Sequence, residues 1–339
     1  MMMKTEELEE LWKGMVPPKV GEDITGKRLP GMSVYAALDK YGYRHLLIRK
    51  LSQEDWEINF KTRGLDVSTS KFKIGTSEEA TYVDLTCTNL NQNTTFTVVA
   101  SDLIQSVVIS NQKLEDTIKS VLHKWRDFWS VRSGGMSLED TLGLFGEVWF
   151  MIRWFPTLDS NVIGMWQVLE NAMHDFQSEE ASVEVKVNNS RLASFPTHII
   201  SGIDQLDNPA RGDLYLFSLQ VTEDSISSNT LHNLVREIQH KLEDDYRALS
   251  EFNEKLLERG YTLDDTANPS RGFRILAERL YKVTDGFPRI VRRSFGTAGP
   301  PPGTSGIKYA LNTSACEQWL VATAPTDEGN PFSSKQDQP

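Results

Sequence analysis

Cysteine is nearly absent from this chain. There are two in 339 residues, Cys87 and Cys316, and two isolated thiols make neither a disulfide framework nor a zinc site. Long apolar runs are missing too: none approaches the roughly 18 residues that suggest a membrane span. The N-terminal MMMKTEELEELWKGM lacks the apolar core of a signal peptide, so a cytoplasmic location without membrane contact is expected. Histidine is scarce, with six scattered residues and no HExxH; His232 and His240 lie eight apart, too far for ligands on adjacent helical turns. No Walker A loop or GxGxxG occurs, so nucleotide hydrolysis would have to come from a partner. The lack of a GxSxG stretch removes a serine-hydrolase reading.

Positive charge is in deficit, with 36 basic against 47 acidic residues and a net charge of −11. That argues against a protein that coats nucleic acid nonspecifically, which needs local positive potential. Distribution matters more than the total. Residues 271–310 hold eight basic side chains (Arg271, Arg274, Arg279, Lys282, Arg289, Arg292, Arg293, Lys308) against Glu278 and Asp285. The window reads either as a solvated surface balancing an acidic remainder or as a phosphate-binding patch.

What is present is the composition of a globular protein, 39% hydrophobic and 24% charged, long enough for two or three domains. After a short amphipathic helix over 5–13, residues 32–109 read as strands. A hairpin turns around Lys40–Gly42, and TTFTVVASDLIQSVVI continues the β-like texture. Near residue 112 the apolar period changes from 2 to 3.6, which places a domain boundary there: a β-rich domain over 1–112, a second over 113–250, a mixed extension over 251–325 and a disordered tail over 326–339. The second domain opens with a helix over 113–130 carrying Leu114, Ile118, Val121, Leu122, Trp125 and Trp129, followed by a Gly134–Gly135 break. Ser137 caps the next helix, with Asp140 three residues on, and Pro156 stops it. Short strands follow at SVEVKVNN, THIISGI and GDLYLFSLQV, then one long charged helix over about 229–258. The extension carries a helix near 271–282, then strands and the loop GTAGPPPGTSG.

The helix 138–155 is apolar around most of its circumference, with one stripe of Leu138, Leu142, Phe145, Trp149 and Ile152 and another of Leu144, Val148, Met151 and Phe155. It should be buried, and Glu147 sits in its middle. A carboxylate there is costly without a cation or donors. It is either a structural ion pair or a functional group, and Gly143, one turn away, removes bulk beside it. In SVEVKV, residues two apart share a face, so Glu184 and Lys186 project together while Val183, Val185 and Val187 fill the other side. Asp175, nine residues earlier, reaches Glu184 through a hairpin. Two carboxylates and a backbone carbonyl, that of Val185, form a hard-oxygen set suited to Mg²⁺, with Mn²⁺ as a substitute. Such a metal polarises a phosphoryl oxygen and acidifies water, and the Lys186 ammonium orients that water or stabilises charge on the phosphate. Asp…Glu-x-Lys alone is a common pattern, and a solvated strand face with a cross-strand ion pair explains it equally well.

Order adds information: a buried helix with Glu, then Asp, then strand-borne Glu-x-Lys, two more strands and a long helix. This resembles the restriction-endonuclease-like nucleases, whose core is αβββαβ with Asp…(D/E)-x-K. Four strings, YGYRHLLIR (41–49), GLFGEVWF (143–150), the HDF…EVK run (174–186) and THIISGIDQLD (197–207), resemble a bacterial and archaeal family of PD-(D/E)XK motif proteins over roughly 1–320. The resemblance implies an α+β fold in which the β-rich N-terminal domain precedes a PD-(D/E)XK core with additional C-terminal helices and strands. It implies metal-dependent DNA cleavage in a restriction-like defence setting, with an ATPase, a DNA methyltransferase or a second copy as partners. Asp175 and Glu184 would ligate the metal, Glu147 support it or a second metal, and Lys186 serve the attacking water. A departure is His174 where the motif has Pro; it either lines the site or packs and caps locally. His198 and Gln205 match a family string without a derivable role, and Gln220 is a weaker candidate to face the site. The alternative is a catalytically silent subunit keeping the fold for assembly or DNA recognition.

Overall fold

The computed structural model describes residues 4–19, 24–51, 56–62, 64–74, 78–109, 112–130, 136–169, 172–190, 194–261, 271–297 and 299–333. The chain folds into two compact units: residues 1–135 with 260–267, and residues 136–259 with 268–339. The Gly134–Gly135 break and the last six residues lie outside the described segments. Among the described residues no helix is long and apolar enough to cross a membrane.

The first unit begins with α1 (Thr5–Lys13) and a fully antiparallel six-stranded sheet: β1 (Ile24–Arg28), β2 (Val34–Asp39), β3 (Arg44–Arg49), β4 (Asn59–Lys61), β5 (Leu65–Phe72) and β6 (Ala80–Cys87), ordered β1-β2-β3-β6-β5-β4. The hairpin at Lys40–Gly42 joins β2 to β3 as expected. The strand reading fails at TTFTVVASDLIQSVVI, which is helix α2 (Asn93–Ile109). Its β-branched composition favours a strand, but Phe96, Val99, Ala100 and Leu103, all fully buried, recur at helical spacing, and spacing prevails over composition. Helix α3 (Leu114–Ser130) also departs from expectation. It packs on α2, where Trp125 Nε1 donates to Asp102 Oδ2 at 2.6 Å, and so lies in the first unit rather than opening the second.

The second unit contains α4 (Leu138–Trp154), α5 (Ser160–Met165), β7 (Phe176–Gln177), β8 (Ala181–Asn189), β9 (Thr197–Ile200), β10 (Asp213–Glu223), α6 (Leu231–Lys241), α7 (Tyr246–Glu258), β11 (Phe273–Val283), β12 (Tyr309–Asn312) and β13 (Leu320–Ala322). Its main sheet runs β13-β11-β10-β8-β7, with β8 and β10 parallel and the other neighbours antiparallel. The α4, β7, β8, β10, α6/α7, β11 succession is an α+β nuclease-like core following a β-rich N-terminal region. β9 leaves the sheet and pairs with β12.

Two sequence expectations are corrected here. The helix placed near 271–282 is strand β11, hydrogen-bonded along the length of β10 from Leu214↔Val283 to Glu223↔Phe273. RILAERL has helical propensity, but an eleven-residue edge of N–H and C=O groups on β10 requires partners, and the ladder overrides a weak local preference. The long helix 229–258 is two helices, because Leu242 closes α6 and Asp245 caps α7 by accepting from Ala248 N at 3.1 Å.

One face of the sheet carries α4. Phe150 packs tilted against Phe176 and Phe217 at 5.2 and 4.8 Å between ring centroids. The described part of the tail, up to Ser333, joins this core. Phe332 meets Phe150 and Phe155 at 5.6 and 5.0 Å, and Asn330 Nδ2 donates to the Trp154 carbonyl at 3.2 Å. The other face is an apolar cluster of Ile200, Leu206, Leu214, Leu216, Tyr281 and Leu311 with their neighbours.

Candidate active site

The strand β8 alternates as its sequence requires. Val183 and Val185 are buried toward α4, where Gly146 makes the close approach possible: a Cβ on it would fall 2.2 Å from Val187 Cγ2 and 3.2 Å from Val185 Cγ1. Glu184 and Lys186 project from the opposite side of the strand. Glu184 is 3% exposed, and a carboxylate so buried needs a partner; Lys186 Nζ lies 2.8 Å from its Oε1.

Asp175 stands just before the two-residue strand β7, whose pairing with β8 stops at Phe176↔Val183. Beyond that point the Val185 N–H is taken by the side chain of Asp175, which accepts it at Oδ2 over 2.7 Å. The Asp175 carbonyl accepts from Gln167 N at 2.8 Å. The short strand thereby docks the Asp175 carboxylate on the edge of β8 between Glu184 and Lys186.

Glu147 is buried in the middle of α4, 4% exposed, as the unbroken apolar circumference demands. Its Oε2 accepts from Trp166 Nε1 at 2.8 Å, and its Oε1 accepts from Arg259 Nη2. Trp166 follows α5 and Arg259 caps α7. α5 and α7 pack together through Trp166 and Phe252, 5.8 Å between centroids.

These groups share one field. Burial, then Asp175, pushes Glu147 up to about 8 against the pull of Arg259 and Trp166. Burial raises Asp175, and burial with Asp175 lifts Glu184 well above the usual carboxylate range. Burial pulls Lys186 down, but Glu184 and Asp175 outweigh it and leave the ammonium held more tightly than usual. Three buried carboxylates with raised proton affinities mark a candidate functional site. The structure thus brings Glu147, Asp175, Glu184 and Lys186 together.

The donor set bears on which of them suits a cation. Among the described residues no ready-made cluster of three His, Cys, Asp or Glu ligands occurs. Both oxygens of Glu147 already carry donors, whereas Asp175 and Glu184 each show a contact at one oxygen. Asp175 and Glu184 fit as hard-oxygen ligands; Glu147 is the ion-paired carboxylate of the group. Val185 contributes its amide to Asp175.

The remaining candidates separate. His174 places Nε2 3.1 Å from the Asp207 carbonyl, an anchoring contact. Gln220 donates to the Ser190 carbonyl at 3.0 Å. His198 Nε2 is 2.7 Å from Ser218 Oγ, both buried; burial, with Lys186 and Arg279 nearby, pushes its pKa down to about 3, so the ring is neutral. Gln205 accepts from Lys186 Nζ at 3.2 Å. Of the basic window, Arg271, Arg274, Lys282 and Arg293 pair with Glu223, Asp224, Asp213 and Asp285, which favours the balanced-surface reading over a phosphate patch.

A family model matches residues 8–314, over most of the chain. The chain belongs to the DUF4420 family, described as "Putative PD-(D/E)XK family member". No curated protein and no solved structure gives a significant match.

Proposed function

We propose that this chain is a divalent-metal-dependent DNA endonuclease, with Asp175 and Glu184 holding Mg²⁺ or Mn²⁺, Glu147 supporting their geometry, and Lys186 serving the attacking water. The observation that carries the reading is the convergence at the edge of β8 of one lysine and three buried carboxylates whose proton affinities are all raised. Such a cluster costs stability unless it answers a need for a cation. A bound divalent cation supplies Lewis-acid polarisation of a phosphoryl oxygen and lowers the pKa of water. The chain's own part is positional. The Val185 amide fixes Asp175, Glu184 fixes the lysine, and the Lys186 ammonium places positive charge where a phosphate oxygen gains negative charge. We extend the proposal to a restriction-like defence role alongside ATPase and methyltransferase proteins, from the family resemblance.

The engagement of both Glu147 oxygens by Arg259 and Trp166 favours a second reading, a catalytically silent subunit serving assembly or DNA recognition. One experiment decides. Purified protein is incubated with supercoiled plasmid and Mg²⁺, beside Lys186→Ala. The endonuclease reading expects nicking by the wild type and a loss of roughly 10²–10³ in rate for the variant, measured per folded molecule because Glu184 loses its buried partner. An active wild type matched by an equally active Lys186→Ala removes the site assignment.

A further inference from the structure

Gln205 is fixed more firmly than its loop position suggests. Its Oε1 accepts two hydrogen bonds, from Ser201 N at 2.8 Å and from Lys186 Nζ at 3.2 Å. Both donors are N–H groups, so the carboxamide oxygen, not its nitrogen, faces the lysine. The loop following β9 is gripped just beyond Gln205. Arg289 Nη1 donates to the Leu206 carbonyl at 2.5 Å and its Nη2 to Asn208 Oδ1 at 2.8 Å. His174 Nε2 reaches the Asp207 carbonyl at 3.1 Å; a carbonyl only accepts, so that nitrogen carries the proton. Leu206 is itself fully buried in the apolar cluster under β10. Three consecutive residues after Gln205 are therefore tied down, one of them by the residue adjoining Asp175.

We propose that Gln205 is the positioning residue for Lys186. Its oxygen holds the ammonium in one place beside Glu184, and the anchored loop keeps that oxygen from drifting. The proposal rests on the nuclease reading of Lys186. A lysine side chain is flexible and makes a point-charge contact without intrinsic direction, whereas electrostatic catalysis depends on a charge already in place when the transition state forms. Glu184 supplies one tether, and Gln205, from the loop after β9, the second.

The test compares Gln205→Leu, Gln205→Asn and Gln205→Glu in the full chain. Gln205→Leu should lower kcat for plasmid nicking by about 10- to 100-fold, with KM for DNA and the Mg²⁺ half-saturation unchanged. Gln205→Asn, one methylene short, should behave alike and covers a Leu variant that folds poorly. Gln205→Glu keeps an oxygen acceptor at the same reach and should restore most of the rate. In metal-free protein, ¹³Cε-labelled lysine NMR gives an independent readout, with the Lys186 signal identified by its loss in Lys186→Ala. The two Hε protons should be inequivalent in wild type and Gln205→Glu and should collapse to one shift in Gln205→Leu. Wild-type kcat in Gln205→Leu, or Hε protons that stay inequivalent in it, overturns the assignment. If Lys186→Ala is inactive while Gln205→Leu is fully active, only the Gln205 assignment falls; if Lys186→Ala is itself fully active, the site reading falls.

Discussion

Each unit of the molecule buries charge, and the two do it differently. In the first, Arg44 Nη1 and Nη2 meet the two oxygens of Glu9 at 2.5 and 2.9 Å, and Thr97 hydrogen-bonds both partners. Burial pushes Glu9 up, yet Arg44 and Thr97 outweigh it and hold the carboxyl below its ordinary value. Nearby, Asp102 is met by Trp125 and Lys124 at 2.6 and 3.1 Å. In the second unit the carboxylates Glu147, Asp175 and Glu184 crowd around Lys186 and Arg259, and all three have raised proton affinity. A buried ion pair with its charges matched looks structural; a buried cluster left acidic looks like a site. Burial alone does not separate them, since Arg44 and Glu184 are both buried. The direction of the carboxylate pKa does.

The matched cluster should fail through stability. Arg44→Met keeps the volume, strands Glu9, and should cost about 3 kcal/mol in urea unfolding, the lower end for breaking a buried pair. Its nicking rate per folded molecule should stay at the wild-type level. A normal urea midpoint combined with lost nicking would break the distinction, because it would make the first unit's pair functional.

The acidic cluster should respond to cations. Mg²⁺ at a hundred times its Kd should stabilise the wild type by about 2.7 kcal/mol, read as a rise in melting temperature. Asp175→Asn should lose most of that rise, and Arg44→Met should keep it. An Asp175→Asn protein that Mg²⁺ still stabilises fully would move the cation elsewhere.

The smallest effect sharpens the edge of the site. His198 has a folded pKa of about 3, below the roughly 6.5 of a free histidine. The native state therefore resists the proton that the unfolded chain accepts. The stability tied to neutral His198 is complete above pH 6.5 and lost progressively as pH falls toward 3, amounting to about 1.4 kcal/mol at one unit below 6.5. The wild-type protein minus His198→Asn difference should shrink with that slope between pH 7 and 5.5. A difference independent of pH would mean that the ring takes up its proton in the fold as readily as in the unfolded chain.

Much of this site was legible in the amino-acid order, and the illegible parts share a cause. β8 could be read because strand alternation is local: Val183, Val185 and Val187 against Glu184 and Lys186. Glu147 could be read because an apolar helix circumference is local too. Its partners could not. Arg259 lies 112 positions away, and Trp166 stands among residues without a pattern that points inward. Gln205 was noticed inside THIISGIDQLD, but the lysine it meets is 19 positions away across the fold. The fold shows the same divide. The β2–β3 hairpin follows from its turn, whereas β11 is a strand because β10 stands beside it, and α2 is a helix although its composition argues otherwise. The β-rich boundary near 112 rested on a change of period, while α3 is assigned by what it packs against.

The aromatic core under α4 is finished by Phe332, far from it in sequence. Phe150 and Phe155 wait for Phe332, and the Trp154 carbonyl waits for Asn330. During synthesis, which runs from the N-terminus, Trp154 is made 176 positions before Asn330, so the outer packing of this helix is complete only after residues 330–332 have emerged. Chains cut before Asn330 would therefore carry an open core, so removing residues 330–332 should loosen the outer packing of the helix that bears Glu147.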